Sequence, residues 1–264
     1  MLDLLMDKTS YDLHDLAEIV RILRAPNGCP WDAEQTHVSL RRNLLEEAYE
    51  VVEAIDENSP DHLKEELGDL LLQVVFHADI SRDEGQFDLN DVADGICKKL
   101  IFRHPHVFGD VTVNSSGEVL VNWEELKRKE KGQKSNADAV DSVARSLPAL
   151  WRAEKVQKKA AKCGFDWDQV DGAADKLCEE AAELRASLSG DGDPVEELGD
   201  LLFSAVNVAR FLKADPEDCL HAAADKFAAR FRRVEELALS QGRKLEEMSL
   251  AEMDELWNSI KHQS

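Results

Sequence analysis

An internal repeat constrains the fold of this chain more than any other feature of its sequence. The segment EELGDLL occurs at residues 65–71 and again at 196–202, and an identity of this length is hard to explain by chance. A glutamate-rich segment precedes each copy, LLEEAYEVVEAI at 44–55 and KLCEEAAELRASL at 176–188. The chain is therefore predicted to contain two copies of one structural unit.

Helical periodicity dominates the rest of the sequence. Leu44, Ala48 and Val51 form an apolar stripe at helical spacing, and the alternation typical of strands is scarce. Ser59-Pro60 and Asp193-Pro194 each place a capping side chain before a proline, the pattern of a helix start. We therefore predict an all-α fold, with residues 109–117 forming a loop. The predicted helices lie near 13–24, 39–57, 60–82, 90–104, 118–130, 146–163, 171–189, 194–213, 216–241 and 249–262.

The repeat also predicts the division into domains. An N-terminal helical domain is expected at 1–130 and a C-terminal helical domain at 146–264. The residues between them, 131–145, are polar and are predicted to form a linker.

Charge and cysteine content restrict the partners and the compartment. Asp and Glu number 54 against 32 Lys and Arg, a formal net charge of −22 that repels nucleic-acid phosphates. No apolar stretch is long enough to predict a membrane span. The five cysteines form no Cys-x-x-Cys pair and the N-terminus is acidic, which favours a reducing, cytoplasmic location.

The repeated carboxylates are the candidate functional groups of this chain. Each copy has Glu-Glu-x-x-Glu on one predicted helix and Glu-x-x-Asp on the next. Relative to Glu47, the apolar residues Leu44 and Val51 lie at about 60° and 40° around the helix, so this carboxylate borders the apolar stripe. A solvated acidic face is the alternative for any single motif. Because both copies place the same carboxylates beside an apolar stripe, an inward-facing site is favoured over a solvated face.

A divalent cation makes inward-facing carboxylates tolerable, because like charges repel and lose water when brought together. Oxygen ligands suit Mg²⁺, with Mn²⁺ as a substitute. A di-iron enzyme remains an alternative, although such bundles use Glu-x-x-His, which neither copy contains. The candidate metal ligands are Glu47, Glu50, Glu66 and Asp69 in the first copy and Glu180, Glu183, Glu197 and Asp200 in the second.

Cationic and aromatic residues at matching positions suit a phosphorylated substrate with a planar base. Lysine and arginine four residues apart share a helix face, and a tryptophan followed four residues later by lysine adds a flat surface and a further charge. Surface charge and core packing are the alternatives for these residues. The candidate nucleotide contacts are Lys99, Arg103, Trp123 and Lys127 in the first copy and Lys226, Arg230, Trp257 and Lys261 in the second.

Longer motifs resemble the MazG family of nucleoside triphosphate pyrophosphohydrolases, of the all-α kind, over nearly the whole chain. The resemblance rests on both carboxylate sets and on NGCPWDAEQTHVSL (27–40), RHPHVF (103–108), RSLPALWRAEKVQKKA (145–160), GFDW (164–167) and KFAARFRRVEE (226–236). It implies a tandem of helical-bundle units, each bundle completed by a second protomer in a homodimer. It also implies Mg²⁺ on the eight carboxylates above, and nucleotide contacts from Lys226, Arg230 and Trp257, with Lys261.

The expected reaction is hydrolysis of a nucleoside triphosphate, ribo- or deoxyribo-, to the monophosphate and pyrophosphate. In this house-cleaning activity Glu46 or Glu179 lies close enough on its helix to orient the attacking water, and support of the metal ligands from behind is an equal alternative. A different class remains open, in which one or both copies bind nucleotide or scaffold the dimer without catalysis. We expect the second copy to be the main catalyst, because its cations and tryptophan match the family pattern more closely.

Overall fold

The computed structural model describes residues 5–112 and 135–261, and between them residues 115, 117–119, 123, 126–127, 130 and 132–133. These residues contain helices and no strands, which confirms the predicted all-α class. The helices are α1 (Leu13–Arg24), α2 (Pro30–Ala33), α3 (Arg41–Asp56), α4 (Pro60–Asp83), α5 (Leu89–Arg103), α6 (Pro105–Phe108), α7 (Asn136–Asp141), α8 (Ala149–Ala161), α9 (Val170–Ser187), α10 (Pro194–Phe211), α11 (Pro216–Ser240) and α12 (Leu250–Lys261), with a 3-10 turn at Leu245–Glu247.

Local sequence signals set the helix starts. Ser59 accepts a hydrogen bond from the His62 amide and Asp193 accepts one from the Val195 amide, each directly before a proline. Both predicted caps are therefore confirmed. The helix predicted at 118–130 falls partly outside the described residues, of which 118, 119, 123, 126, 127 and 130 are helical. Of the loop predicted at 109–117, residues 109–112 and 115 are non-helical, residue 117 is helical, and residues 113, 114 and 116 lie outside the described residues.

The chain divides into two compact units, Met1–Lys127 and Arg128–Ser264. This division falls close to the predicted end of the first domain at residue 130. Part of the predicted linker has a structure of its own, because α7 packs against α8 and the side chains of Ala139 and Val143 are buried. No helix was predicted at 136–141. The six residues of α7 are stabilised by this packing.

In the first unit, α4 packs against both α1 and α3. The buried core joins Val20 of α1 with Val75, Phe76 and Ile80 of α4. Arg24, at the end of α1, donates a hydrogen bond to the buried Asp79 of α4 at 2.8 Å. This contact fixes α1 against the helix that carries Glu66 and Asp69.

In the second unit, α10 packs against α8 and α9. The Gln157 amide of α8 donates to the backbone carbonyl of Phe203 at 2.8 Å. Arg210 at the end of α10 donates to Asp166 in the loop after α8, at 2.8 Å from Nη1. In this ion pair the base lies on α10, the helix that carries EELGDLL. In the first unit the acid lies on the corresponding helix, α4, and the base lies at the end of α1.

Helices α1 and α8 also share sequence, which extends the repeat beyond the segments recognised above. Ala-Glu-x-Val occurs at 17–20 and at 153–156, and Gly-x-x-Trp-Asp follows at 28–32 and at 164–168. Each of these helices packs on the EELGDLL helix of its own unit. Within the described parts of the chain, no helix is both long enough and apolar enough to cross a bilayer.

Candidate metal-binding and nucleotide-binding site

Three predicted ligands of the first copy lie together at the contact between α3 and α4. Glu47 extends from α3, and Glu66 and Asp69 extend from adjacent turns of α4. One carboxylate oxygen from each lies within 4.8 Å of the other two. The side chain of Glu66 is 12% exposed, so this group of acids is partly removed from water.

The second copy forms a corresponding cluster between α9 and α10. Glu180 and Glu183 of α9 join Glu197 of α10, again with one oxygen of each within 4.8 Å of the others. The fourth predicted ligand is not among the three mutually close residues of either group, but Glu50 is in hydrogen-bond contact with Glu47 and the charge of Asp200 raises the pKa of Glu197. Each copy thus gathers three of its four predicted carboxylates, and the excluded residue is on α3 in one copy and on α10 in the other.

The electrostatics of both clusters suit a cation. Loss of water raises the pKa of Glu47, and the nearby charges of Asp69 and Glu50 raise it further. Loss of water likewise raises the pKa of Glu197, with smaller contributions from Glu183 and Glu180. Carboxylates in such surroundings hold their negative charge at a cost that a cation would offset. An all-oxygen donor set of this kind fits Mg²⁺ or Mn²⁺.

Lys176 supplies a positive charge at the second cluster. Its ammonium group lies 2.7 Å from a carboxylate oxygen of Glu179 and 2.7 Å from one of Glu180. These two hydrogen bonds raise the pKa of Lys176. The i, i+4 spacing of Lys176 and Glu180 is a signal for this pair that our sequence reasoning missed. Aligning LLEE with KLCEE places Asn43 at the corresponding position of the first copy.

His62 occupies the edge of the first cluster. Its Nε2 lies 3.1 Å from Glu66 Oε1, and its Nδ1 lies 2.8 Å from Glu57 Oε2. The hydrogen bond to Glu57 is the largest cause of the raised pKa of His62, and Glu66 adds to it. Our sequence reasoning also missed this residue, although His62 and Glu66 are four residues apart on one helix.

The two candidate catalytic acids lie outside the clusters. Arg42 donates to Glu46 at 2.8 Å, and about half of the Glu46 side chain is exposed, 49%. Glu179 pairs with Lys176 and is 58% exposed. Each of these acids therefore flanks its metal-ligand candidates without joining them.

In the first copy, three of the four predicted nucleotide contacts meet. The Arg103 guanidinium lies over the Trp123 ring, 5.5 Å from its centroid, and the Lys127 ammonium lies 4.9 Å from the same centroid. Both are at cation–π distance. Lys99 is exposed on α5, one turn before Arg103. The flat face offered by Trp123 is thus already in contact with two side chains of its own unit.

In the second copy, the tryptophan contacts an aromatic residue instead. Trp257 of α12 lies 5.2 Å from Phe227 of α11, between ring centroids, and Phe227 in turn lies 6.1 Å from Phe231. Lys226 and Arg230 occupy the same stretch of α11, and Lys261 follows Trp257 by one turn on α12. Among the described residues, no ion pair joins Lys226 or Arg230 to a carboxylate. The i, i+4 spacing of Phe227 and Phe231 could have shown this aromatic row.

Trp151 fixes the start of the helix that carries these cations. Its indole N–H donates to both oxygens of Asp215, at 2.8 and 3.0 Å. Asp215 is the N-cap of α11 and accepts from the backbone amides of Glu217 and Asp218. The contact from α8 thus positions α11, a role that the sequence pattern did not indicate.

The two clusters define the class of this protein: an all-α chain whose two units each gather carboxylates from neighbouring helices. The MazG nucleotide pyrophosphohydrolase domain matches residues 35–108. The nucleoside triphosphate pyrophosphohydrolase/pyrophosphatase MazG of Thermotoga maritima is 46% identical over 250 residues, covering 94% of each chain. The nucleoside triphosphate pyrophosphohydrolase of Escherichia coli K12 is 45% identical over 253 residues, which cover 94% of this chain and 96% of that protein. This chain belongs to the MazG family, which confirms the resemblance drawn from its motifs.

Proposed function

We propose that this protein hydrolyses nucleoside triphosphates, ribo- and deoxyribo-, to nucleoside monophosphates and pyrophosphate, with Mg²⁺ as cofactor and Mn²⁺ as a substitute. The observation that carries the proposal is the convergence of carboxylates from two helices in each copy. Family membership supports the same reaction, because relatives that match almost end to end are named nucleoside triphosphate pyrophosphohydrolases. Broad specificity would make the enzyme a cleaner of the nucleotide pool, and its unpaired cysteines favour a cytoplasmic location.

The carboxylate clusters would hold the cation. In the second copy these ligands are Glu180, Glu183 and Glu197, with Asp200 beside them, and in the first copy Glu47, Glu66 and Asp69, with Glu50 beside them. A divalent cation bound there supplies Lewis-acid polarisation of phosphoryl oxygens and activation of water. Lys176 holds Glu180 before the cation arrives, since its ammonium neutralises the same carboxylate.

The remaining side chains would orient the substrate. Lys226, Arg230 and Lys261 neutralise phosphate oxygens, and Trp257 with Phe227 offers an aromatic surface to the base. Glu179 and Glu46 hold or orient the attacking water. Their positions beside the clusters favour support of the ligands over contact with the attacked phosphorus.

A homodimer would complete the bundles. Leu45, Tyr49 and Val52 form an exposed apolar stripe on α3, and Leu67 and Leu71 continue it on α4. Exposed apolar stripes on adjacent helices are typical of a face that another helix pair covers. We propose a second copy of this chain as the partner, as in the resemblance described above.

A non-catalytic first copy is the second candidate. Arg103 and Lys127 both lie within cation–π distance of Trp123, so two side chains of its own unit would compete with a base for this ring. In the part of the second copy that the structure describes, no lysine or arginine of α11 lies over the Trp257 ring. The first copy would then bind a cation and stabilise the dimer while the second copy turns over.

Pyrophosphate release from several nucleotides, with and without Mg²⁺, tests the proposal. We expect release by the wild type, loss after Glu180→Ala, and a smaller effect of Glu47→Ala. The matched control is Glu65→Ala with Glu196→Ala, which removes the first glutamate of each EELGD motif and leaves the clusters intact. Absence of release by the wild type, or full release by the combined Glu47→Ala and Glu180→Ala variant, would refute the proposal.

A further inference from the structure

Three potential ligands, not two, lie in a row on α4. His62, Glu66 and Asp69 are separated by four and three residues, which places them within about 60° of one another around the helix axis. Glu66 and Asp69 belong to the first cluster with Glu47. Two ligands spaced i, i+4 on one helix are a known way to supply a single metal ion. His62 thus lies on the same face of α4 as Glu66 and Asp69, where it is the third α4 side chain able to reach the cluster.

The imidazole of His62 is oriented for such a role. Glu57 accepts a hydrogen bond from Nδ1 at 2.8 Å, which directs Nε2 towards Glu66 at 3.1 Å. A carboxylate behind the distal nitrogen is the usual support of a metal-binding histidine. Two ligand atoms about 2.1 Å from one cation are about 3.0–3.4 Å apart, a range that includes the observed separation. The contact is an ion pair between the imidazole and the carboxylate, at a spacing that two ligands of a single ion would also have.

The second copy has no such nitrogen. At the register of His62 it has Asp193, which accepts from the Val195 amide at 2.9 Å as the N-cap of α10. The second cluster instead has Lys176, whose ammonium pairs with Glu180, where the first copy has Asn43. The second site therefore offers only oxygen ligands, and the lysine ammonium competes with a metal ion for them. The first site has an imidazole and no lysine.

We propose that His62 is a nitrogen ligand of the first site, which consequently favours a transition-metal dication such as Co²⁺ or Zn²⁺ over Mg²⁺ by a larger factor than the oxygen-only second site does. Imidazole favours these ions, whereas oxygen-only sites favour Mg²⁺ and Mn²⁺. The two copies would then carry different metals in one chain. The proposal rests on the proposed function in one respect, that the clusters hold divalent cations.

The test uses the full chain with Glu180→Gln and Glu183→Gln, which remove the second site. Titration with Co²⁺ and with Mg²⁺, followed by calorimetry and by the visible absorption of Co²⁺, gives affinities and reports nitrogen coordination. We expect His62→Gln to weaken Co²⁺ binding about 10–100-fold and to alter the visible spectrum, while Mg²⁺ affinity changes less than about twofold. Glu57→Gln should weaken Co²⁺ binding to a smaller extent. His221→Gln, an exposed histidine on α11, is the matched control.

Equal losses for Co²⁺ and Mg²⁺, or no loss for either, would overturn the role of His62. The failure of the proposed function looks different, since Glu47→Gln in the same background would then leave binding of both ions unchanged. Thermal melting of each variant separates loss of a ligand from loss of the fold. His62 is one-third exposed on the first turn of α4, so its replacement by glutamine is not expected to unfold the unit.

Discussion

Replacing Arg24 by methionine is expected to loosen the contact between α1 and α4, the helix that carries Glu66 and Asp69. The Arg24 side chain is 8% exposed and donates to Asp79 at 2.8 Å and to Asp83 at 2.9 Å. Asp79 is 5% exposed, so the substitution removes a buried cation from a buried anion. Methionine keeps an aliphatic side chain at this position but loses the cation–π contact between the Arg24 guanidinium and the Phe76 ring, which lie 5.4 Å apart.

The expected loss of stability depends on which partners Asp79 retains after the substitution. Breaking a buried ion pair costs about 3–5 kcal/mol when the remaining charge is left without a partner. Asp79 retains Arg82 at 2.6 Å, so we expect a loss of about 2–3 kcal/mol, at or below the lower end of that range. The double variant Arg24→Met with Asp79→Leu should lose less than the sum of the two single variants, because no buried charge is stranded.

Native-state hydrogen exchange of the full chain measures this effect locally. Peptides from 13–24 and 60–83 report the first unit, and peptides from 149–161 provide an internal reference in the second. Arg42→Met is the matched control: it removes an exposed pair with Glu46, expected to contribute less than about 1 kcal/mol. Equal effects of Arg24→Met and Arg42→Met, or strictly additive single losses in the double variant, would contradict the assigned role of the buried pair.

Three further predictions concern the pH response and the second unit. Burial and the neighbouring His37 lower the pKa of His77 from 6.5, so the unfolded chain takes up a proton more readily. His77 should therefore reduce the stability of the first unit as pH falls below about 6.5, whereas His62, whose pKa is raised, acts in the opposite direction. His77→Phe should make the unit relatively more stable at the acidic end of thermal melts between pH 8 and 5.5, and an unchanged pH dependence would exclude this role of His77. Trp151→Phe removes the hydrogen bond to Asp215 and should destabilise the second unit by about 1.5–3 kcal/mol in urea unfolding, with no change in exchange from the first unit. Phe227→Ala should raise KM for nucleotide with little change in kcat, and an effect on kcat alone would count against the aromatic surface.

Local signals predicted most of the helices. Apolar spacing and the Ser59 and Asp193 caps depend only on neighbouring residues, and the predicted starts of α4 and α10 agree with the structure. Helix α7 escaped prediction because NADAVD has little helical periodicity of its own. It is held by burial of Ala139 and Val143 and by packing on α8, which are properties of the folded unit.

The candidate site was predictable in part for a similar reason. Helix arithmetic places Glu47 beside the apolar stripe, but it does not give the register between two helices. Register determines which oxygens come within 4.8 Å of one another, and in these two groups they are those of Glu47, Glu66 and Asp69 and those of Glu180, Glu183 and Glu197. Contacts from outside the motif, such as Trp151 with Asp215, depend on tertiary packing and leave no periodic signal.

The point at which a helix begins explains how identical motifs acquire different surroundings. Counting back four residues from the second glutamate of EELGD reaches His62 in one copy and Asp193 in the other. Helix α4 has already started at Pro60, so His62 lies on a helical face beside Glu66. Helix α10 starts only at Pro194, so Asp193 is used as the cap, and its carboxylate is committed to a backbone amide. A shift of less than one turn in helix start thus converts a potential ligand into a structural cap, and it gives the two copies different chemistry around the same EELGD sequence.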